Sequence, residues 1–158
     1  MRSVAAAALL FASSSGSLAC TLLMSPEYHT ATGKKKTMPV AVTIQSTSLS
    51  AWIDGCDAGF IVIQLMGQPI SKLKRQGFYV RPVSGVHTAD AFPKVPLAAQ
   101  ASGKNVTLSW AWDSIIPDND GHVRWQFEVI PVSSSGVLGT PVAACASTDK
   151  SCPVVDAP

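Results

Sequence analysis

Charge is scarce in this chain. Of its 158 residues, 14% are Asp, Glu, Lys or Arg, against roughly 25% in an average soluble domain. The net charge of +2 is far from the strongly basic footprint of a dedicated nucleic-acid binder, so no nucleic-acid partner is expected. With 47% hydrophobic residues the chain is not disordered either, because disorder follows from low hydrophobicity combined with high charge. A membrane-spanning helix needs about 20 predominantly apolar residues, and the apolar run from Val4 to Ala12 stops after nine. Catalytic signatures are missing as well: there is no Gly-x-Ser-x-Gly elbow and no His-x-x-x-His pair. No Cys-x-x-Cys occurs, and His29, His87 and His122 stand at no ligand spacing, so neither a metal site nor a cofactor is expected.

What is present starts at the N-terminus. Met1 and Arg2 precede the apolar run, which gives way to Ser13–Ser17 and then Leu18, Ala19 and Cys20. A basic start, an apolar middle and a small-residue end, in that order, read as a secretory signal peptide over 1–19. Its removal leaves 139 residues, enough for one self-sufficient core.

Export changes the meaning of the four cysteines, since thiols in oxidising compartments pair. Cys145 and Cys152 bracket six polar, turn-like residues and suit a local disulfide, which would leave Cys20 with Cys56. Four cysteines allow three connectivities, so the proposal rests on proximity. The stretch Ser17-Leu18-Ala19-Cys20 is similar to a bacterial lipobox, with Ala directly before Cys but Leu one place later than usual. That resemblance implies a lipoprotein acylated at Cys20 and held to a membrane. Cysteine parity points instead to a soluble secreted chain, because acylation would strand Cys56 as an odd thiol. Both readings stand.

Along the remaining chain the apolar period is two rather than 3.6, which predicts strands. Candidates are Val40–Gln45, Leu49–Ile53, Phe60–Leu65, Phe78–Val83, Val106–Trp112, Val123–Val129 and Val137–Ala143. The best helical stripe, Lys94–Gln100, is broken by Pro96. Six or seven strands without crossover helices predict an all-β, antiparallel two-sheet sandwich. The expected organisation is an N-terminal extension or linker over 20–38, a sandwich over 39–144, and a disulfide loop and tail over 145–158.

The segment Val106–Val132 resembles neighbouring early strands of a fibronectin type III or immunoglobulin-like domain, with an inward Trp on each strand. The resemblance implies architecture alone. Trp52, Trp110, Trp112 and Trp125 could stack on sugars or on a partner's side chains, but on this phase Trp110, Trp112 and Trp125 read as packing residues, with Trp112 partly exposed at the loop mouth.

Three features could carry function. The loop Asp113–His122 offers Asp113, Asp118, Asn119 and Asp120 as oxygen ligands for a cation, although Pro, Asn, Asp and Gly are also what a connecting turn needs. Charge is unevenly placed. From Lys34 to Lys104 nine basic residues face three aspartates, a net of +6, whereas from Asn105 onward two basic residues face six acids, a net of −4. If Lys34, Lys35, Lys36, Lys72, Lys74 and Arg75 converge, they form a surface for an anionic partner: phosphorylated lipid head groups, an acidic polysaccharide or another envelope protein. Finally, His87, Asp90 and His122 could form the minimal site of an exported hydrolase. Met24, His29 and Met38 are too irregularly spaced for copper, and Asn105-Val106-Thr107 is a glycosylation sequon only in a eukaryotic secretory pathway.

The reading is a small exported bacterial envelope module that binds or scaffolds. Its alternatives are the hydrolase and a subunit of an envelope assembly completed by strand pairing at an open edge. Intact-mass measurement of the processed protein from its native host decides the fate of Cys20: several acyl chains on a chain beginning there mark the lipoprotein, whereas an unmodified chain with two disulfides marks the secreted form.

Overall fold

The computed structural model describes residues 24–31, 33, 35–50, 58–85, 87–88, 90–112 and 116–152. The signal segment, Cys20, Lys34, Trp52, Cys56 and Asp113 lie outside these residues. Among the described residues the elements are β1 (Thr43–Ser50), β2 (Gly59–Met66), α1 (Ile70–Leu73), β3 (Gly77–Ser84), β4 (Leu97–Ala98), β5 (Gln100–Ser102), β6 (Asn105–Trp112), β7 (Arg124–Val132) and β8 (Val142–Ser147). They build two antiparallel sheets in the orders β1-β2-β6-β5 and β4-β3-β7-β8. The expected all-β, two-sheet sandwich is what the chain adopts. Its strand order corresponds to the A-B-E-D and C-F-G sheets of an immunoglobulin constant-type domain, with β4 added beside the C position.

The placement within that architecture differs from the sequence-based expectation. Val106–Val132 does not supply neighbouring strands: β6 pairs with β2 and β5 in one sheet, and β7 with β3 and β8 in the other. The two strands correspond to E and F, which belong to opposite sheets, so only β8 has to follow them. The separate candidates Val40–Gln45 and Leu49–Ile53 are replaced by one strand, β1. Its register against β2 shifts between Ile44 and Ser46, and such a bulge moves the inward phase by one residue. Val42 and Ile44 turn inward before the bulge, Thr47 and Leu49 after it. The last strand begins at Val142 rather than Val137, because Gly139 and Pro141 interrupt the earlier run. Lys94–Gln100 holds no helix; it contributes β4 and the start of β5.

The core lies between the sheets and is centred on aromatic rings. Phe92 places its centroid 5.1 Å from Trp125, 5.9 Å from Phe127 and 6.0 Å from Trp110. Trp110 donates its indole N–H to the Ala91 carbonyl at 2.9 Å, which ties the loop after β3 to β6. Trp112, expected to be partly exposed, is only 2% accessible and packs edge-on against Trp125 at 4.7 Å. Its room comes from Gly59, directly opposite on β2: a Cβ there would sit 2.2 Å from the indole.

The described part of the segment read as an extension or linker is docked at several points. Ser25 bonds through its backbone N–H to Ser109 and through its hydroxyl to the Ser109 N–H. Glu27 bridges to Leu97, the Tyr28 N–H donates to Pro96, and the Ala31 N–H donates to Ser134. The Ser25, Glu27 and Tyr28 contacts cover the β4 and β5 side, where both strands are short and would leave open edges. No helix among the described residues is long and apolar enough to cross a membrane.

Two substitutions test this core. Trp125→Ala should cost about 3 to 5 kcal/mol, through lost apolar burial and the cavity left behind. Gly59→Ala should cost about 1 to 3 kcal/mol, because the methyl overpacks a rigid indole. Chemical denaturation of both variants checks the assignment; a neutral Gly59→Ala would mean that Trp112 packs elsewhere.

Candidate functional site

Antiparallel register assigns the loops to ends. Thr43 of β1 pairs with Met66 of β2, Leu65 with Val106 at the start of β6, and Ser102 of β5 with Asn105. Gly77 at the start of β3 pairs with Val132 at the end of β7. The segment entering β1, the α1 connection, the Gly103–Lys104 turn and the loop after β7 therefore share one end of the sandwich, here called the α1 end.

α1 is a single turn whose spacing decides which side chains face out. Ile70 and Leu73, three apart, face the core, with Leu73 only 1% exposed. Lys72, Lys74 and Arg75 are left exposed. The next residue, Gln76, is 3% exposed and uses its side-chain amide as a clip. Its Oε1 accepts from the Val40 N–H at 2.8 Å and its Nε2 donates to the Val40 carbonyl at 3.1 Å. Both backbone groups of Val40 are satisfied, and Val40 is fixed beside α1. Tyr28 supports the same corner. Its hydroxyl donates to the Arg75 carbonyl at 2.8 Å, and its ring lies where a Cβ on Gly77 would meet it at 2.3 Å.

The result is a depression of about 300 Å³ lined by Thr37, Met38, Val40, Lys72, Arg75 and Ser134 among others. Lys35 and Lys36 stand just before it in the chain, and both are exposed. Lys104, which the sequence-based set did not include, joins the same end at the β5–β6 turn. Lys74 faces the neighbouring hollow over β2, β5 and β6. Among the described residues none of Lys35, Lys36, Lys72, Lys74, Arg75 and Lys104 has an ion-pair partner, whereas Arg81, Lys94 and Arg124 all do. The described acid nearest by register is Glu27, bridged to Leu97 beside Phe78.

At the opposite end, acids and a cation neutralise each other. Arg124 Nη1 donates to Asp118 at 2.5 Å and to Asp120 at 3.1 Å, while Nη2 and Nε donate to Asp149 at 2.6 and 3.1 Å. The positive charge that Asp118 and Asp120 meet here is thus this guanidinium. Asn119 is exposed in the turn, and no group of three described acidic, His or Cys side chains is gathered to hold a metal. Asp149 also accepts from the Ser147 and Ser151 hydroxyls at 2.7 and 2.6 Å. Arg124 thereby joins the loop before β7 to the loop after β8, which the Cys145–Cys152 disulfide closes with Cα atoms 5.6 Å apart. Its hydrogen bonds hold the Asp149 carboxyl far below the usual carboxylate range, helped by Ser151 and Ser147. Asp118 is lowered too, chiefly by the His122 backbone N–H.

The hydrolase residues are engaged separately. Asp90 pairs with Lys94 at 2.7 Å. His87 places Nδ1 3.1 Å from the Thr88 carbonyl and its ring edge-on to Phe92. His122 offers its backbone N–H to Asp118 at 3.0 Å. Ser-x-x-Lys spacing occurs at Ser71/Lys74 and Ser147/Lys150, but the Ser147 hydroxyl is donated to Asp149, and no described hydrogen bond joins Ser71 to Lys74. The edge strands β1 and β8 lie against each other, with the Thr47 hydroxyl donating to the Cys145 carbonyl. No protein family, curated protein or solved structure matches this chain.

The carboxylates around Arg124 set an acid limit to stability. The folded-state pKa values of Asp118 and Asp149 are depressed, so their contribution is complete above the unfolded value of about 3.9 and is lost as pH falls from there through the folded value. Thermal melts should therefore be nearly flat from about pH 6 to 5 for this cluster and fall steeply below about pH 4. Asp149→Asn should lower the melting temperature at neutral pH and flatten that acid limb. An unchanged limb would assign the acid sensitivity to other groups.

Proposed function

We propose that this chain is an exported envelope module, either lipid-anchored at Cys20 or free, that engages an anionic partner through the α1 end and carries out no covalent chemistry of its own. The observation behind the reading is the contrast between the ends. Six exposed cations at the α1 end have no described counter-ion, while Asp118, Asp120 and Asp149 opposite them share Arg124. Like charges held together repel and weaken the compact state, so folding gives no reason to gather them. An anionic partner does. In antibody variable domains the loops joining strands B to C and F to G carry recognition at this same end. The parallel concerns position only, since function resides in the site and not in the fold.

The test is a titration of the full chain with dextran sulfate. Binding should appear at low ionic strength and fade as added salt shortens the screening length from about 30 Å at 0.01 M to about 8 Å at 0.15 M. Lys72→Glu with Arg75→Glu should weaken it at least tenfold. Lys150→Glu, which alters an exposed cation at the other end, should leave it within about twofold. Equal losses in the two variants, or no binding by the parent protein, would remove the reading.

A further inference from the structure

The α1 end also exposes apolar side chains. Met38 is 73% exposed on the segment beside Lys72 and Arg75, and Met66 is 45% exposed at the last position of β2. They belong to one end: Met66 pairs with Thr43 at the start of β1, and Met38 lies five residues before Thr43 on the segment that Gln76 fixes at Val40. Lys35 and Lys36 precede Met38, and Lys72, Lys74 and Arg75 follow Met66 through α1. Met38 thus lines the same depression as Lys72 and Arg75, while Met66 is exposed on the outer phase of β2 at that end of the sandwich.

We infer that the anionic partner is the surface of a bilayer containing acidic lipids, met by the α1 end with Met38 and Met66 entering the acyl boundary and the six cations lying among the head groups. The inference rests on the anionic-partner reading and deepens it. Two physical terms must act together. Basic residues near an acidic leaflet gain free energy charge by charge, and apolar side chains gain by leaving water. A sulfated or carboxylated polysaccharide satisfies the first term and offers no apolar phase for the second. The exposed methionines therefore favour lipid over polymer. The requirement for two signals is general, since one weak apolar contact does not hold a protein to a membrane without a second source of attraction. The α1 end is rigid enough to supply both at once: the Gln76 clip and the Tyr28 hydroxyl keep the cations and Met38 in register, so little ordering is lost on contact.

The experiment uses the unacylated full chain in three titrations: vesicles of phosphatidylcholine with phosphatidylglycerol, vesicles of phosphatidylcholine alone, and dextran sulfate. The parent chain should prefer the acidic vesicles at least tenfold over the neutral ones. Each cation neutralised, as in Lys72→Gln or Arg75→Gln, should weaken that binding about fivefold. Met38→Ser with Met66→Ser should weaken vesicle binding roughly tenfold while leaving dextran sulfate binding within twofold. Both methionines are exposed, so this variant should melt with the parent chain, and a thermal melt verifies that it folds. Vesicle binding indifferent to the methionines, or dextran sulfate binding without vesicle binding, overturns the lipid inference and leaves the anionic-partner reading standing. Failure to bind any of the three overturns both.

Discussion

The contact between Trp110 and Phe127 across the two sheets, wedged by Phe92, is the constraint on which the rest of the structure depends. The Trp110 and Phe127 rings meet edge-on at 6.2 Å, and Phe92 closes on both together with Trp125. β6 and β7 follow one another in sequence yet sit in opposite sheets, so their facing side chains are the only way either strand can cover its apolar side. Aromatic burial supplies most of the hydrophobic drive here, and it fixes the inward phase of both strands. A slip of one residue in either would turn the whole inward set to water. Once β6 and β7 are set, β2 and β5 pair on one flank, β3 and β8 on the other, and the two ends of the sandwich are defined.

That definition gives the charge pattern its meaning. In sequence the basic and acidic halves are separated near Asn105, but a chain that crosses the sandwich seven times could have mixed them. It does not. Lys35 and Lys36 before β1, the cations of the α1 connection and Lys104 in the β5–β6 turn reach one end because each lies where an antiparallel strand begins or ends. Asp118 and Asp120 before β7 and Asp149 after β8 reach the other end by the same rule.

The alternation of apolar residues made the sandwich legible, and Cys145–Cys152 was legible from spacing alone. The bulge at Gln45 was hidden, since a phase slip within one strand looks like two strands. β8 was weak in sequence because Ala143, Ala144 and Ala146 are small and carry little strand signal. The converging basic residues could be named but not placed, as Lys35 and Lys72 are 37 positions apart and only the fold joins them. Gln76 and Tyr28 were missed altogether. A polar residue that is buried to hydrogen-bond a distant backbone has no local pattern. The one available clue was Gly77, whose missing side chain admits the Tyr28 ring.

The two ends also differ in what their charges do for the fold. Arg124 draws three carboxylates and two loops together, and two of them, Asp118 and Asp149, are half-buried, so losing it would leave acids without counter-charge beside the disulfide loop. Exposed single pairs such as Lys94 with Asp90 are worth little, and the cluster matters because several charges share one partially shielded guanidinium. At the α1 end nothing comparable exists. Lys72 and Arg75 are held in place through backbone and neighbours, by the α1 turn, by Gln76 and by Tyr28, while their charged tips contact no described acid. A side chain positioned at its root and free at its tip retains its charge for an encounter outside the molecule, at a cost in self-repulsion that falls with salt. Among the described residues the acids of the Arg124 end share a guanidinium while Lys150 there and the six cations of the α1 end have no ion pair, so the anionic partner proposed above would meet its largest group of unpaired cations at the α1 end.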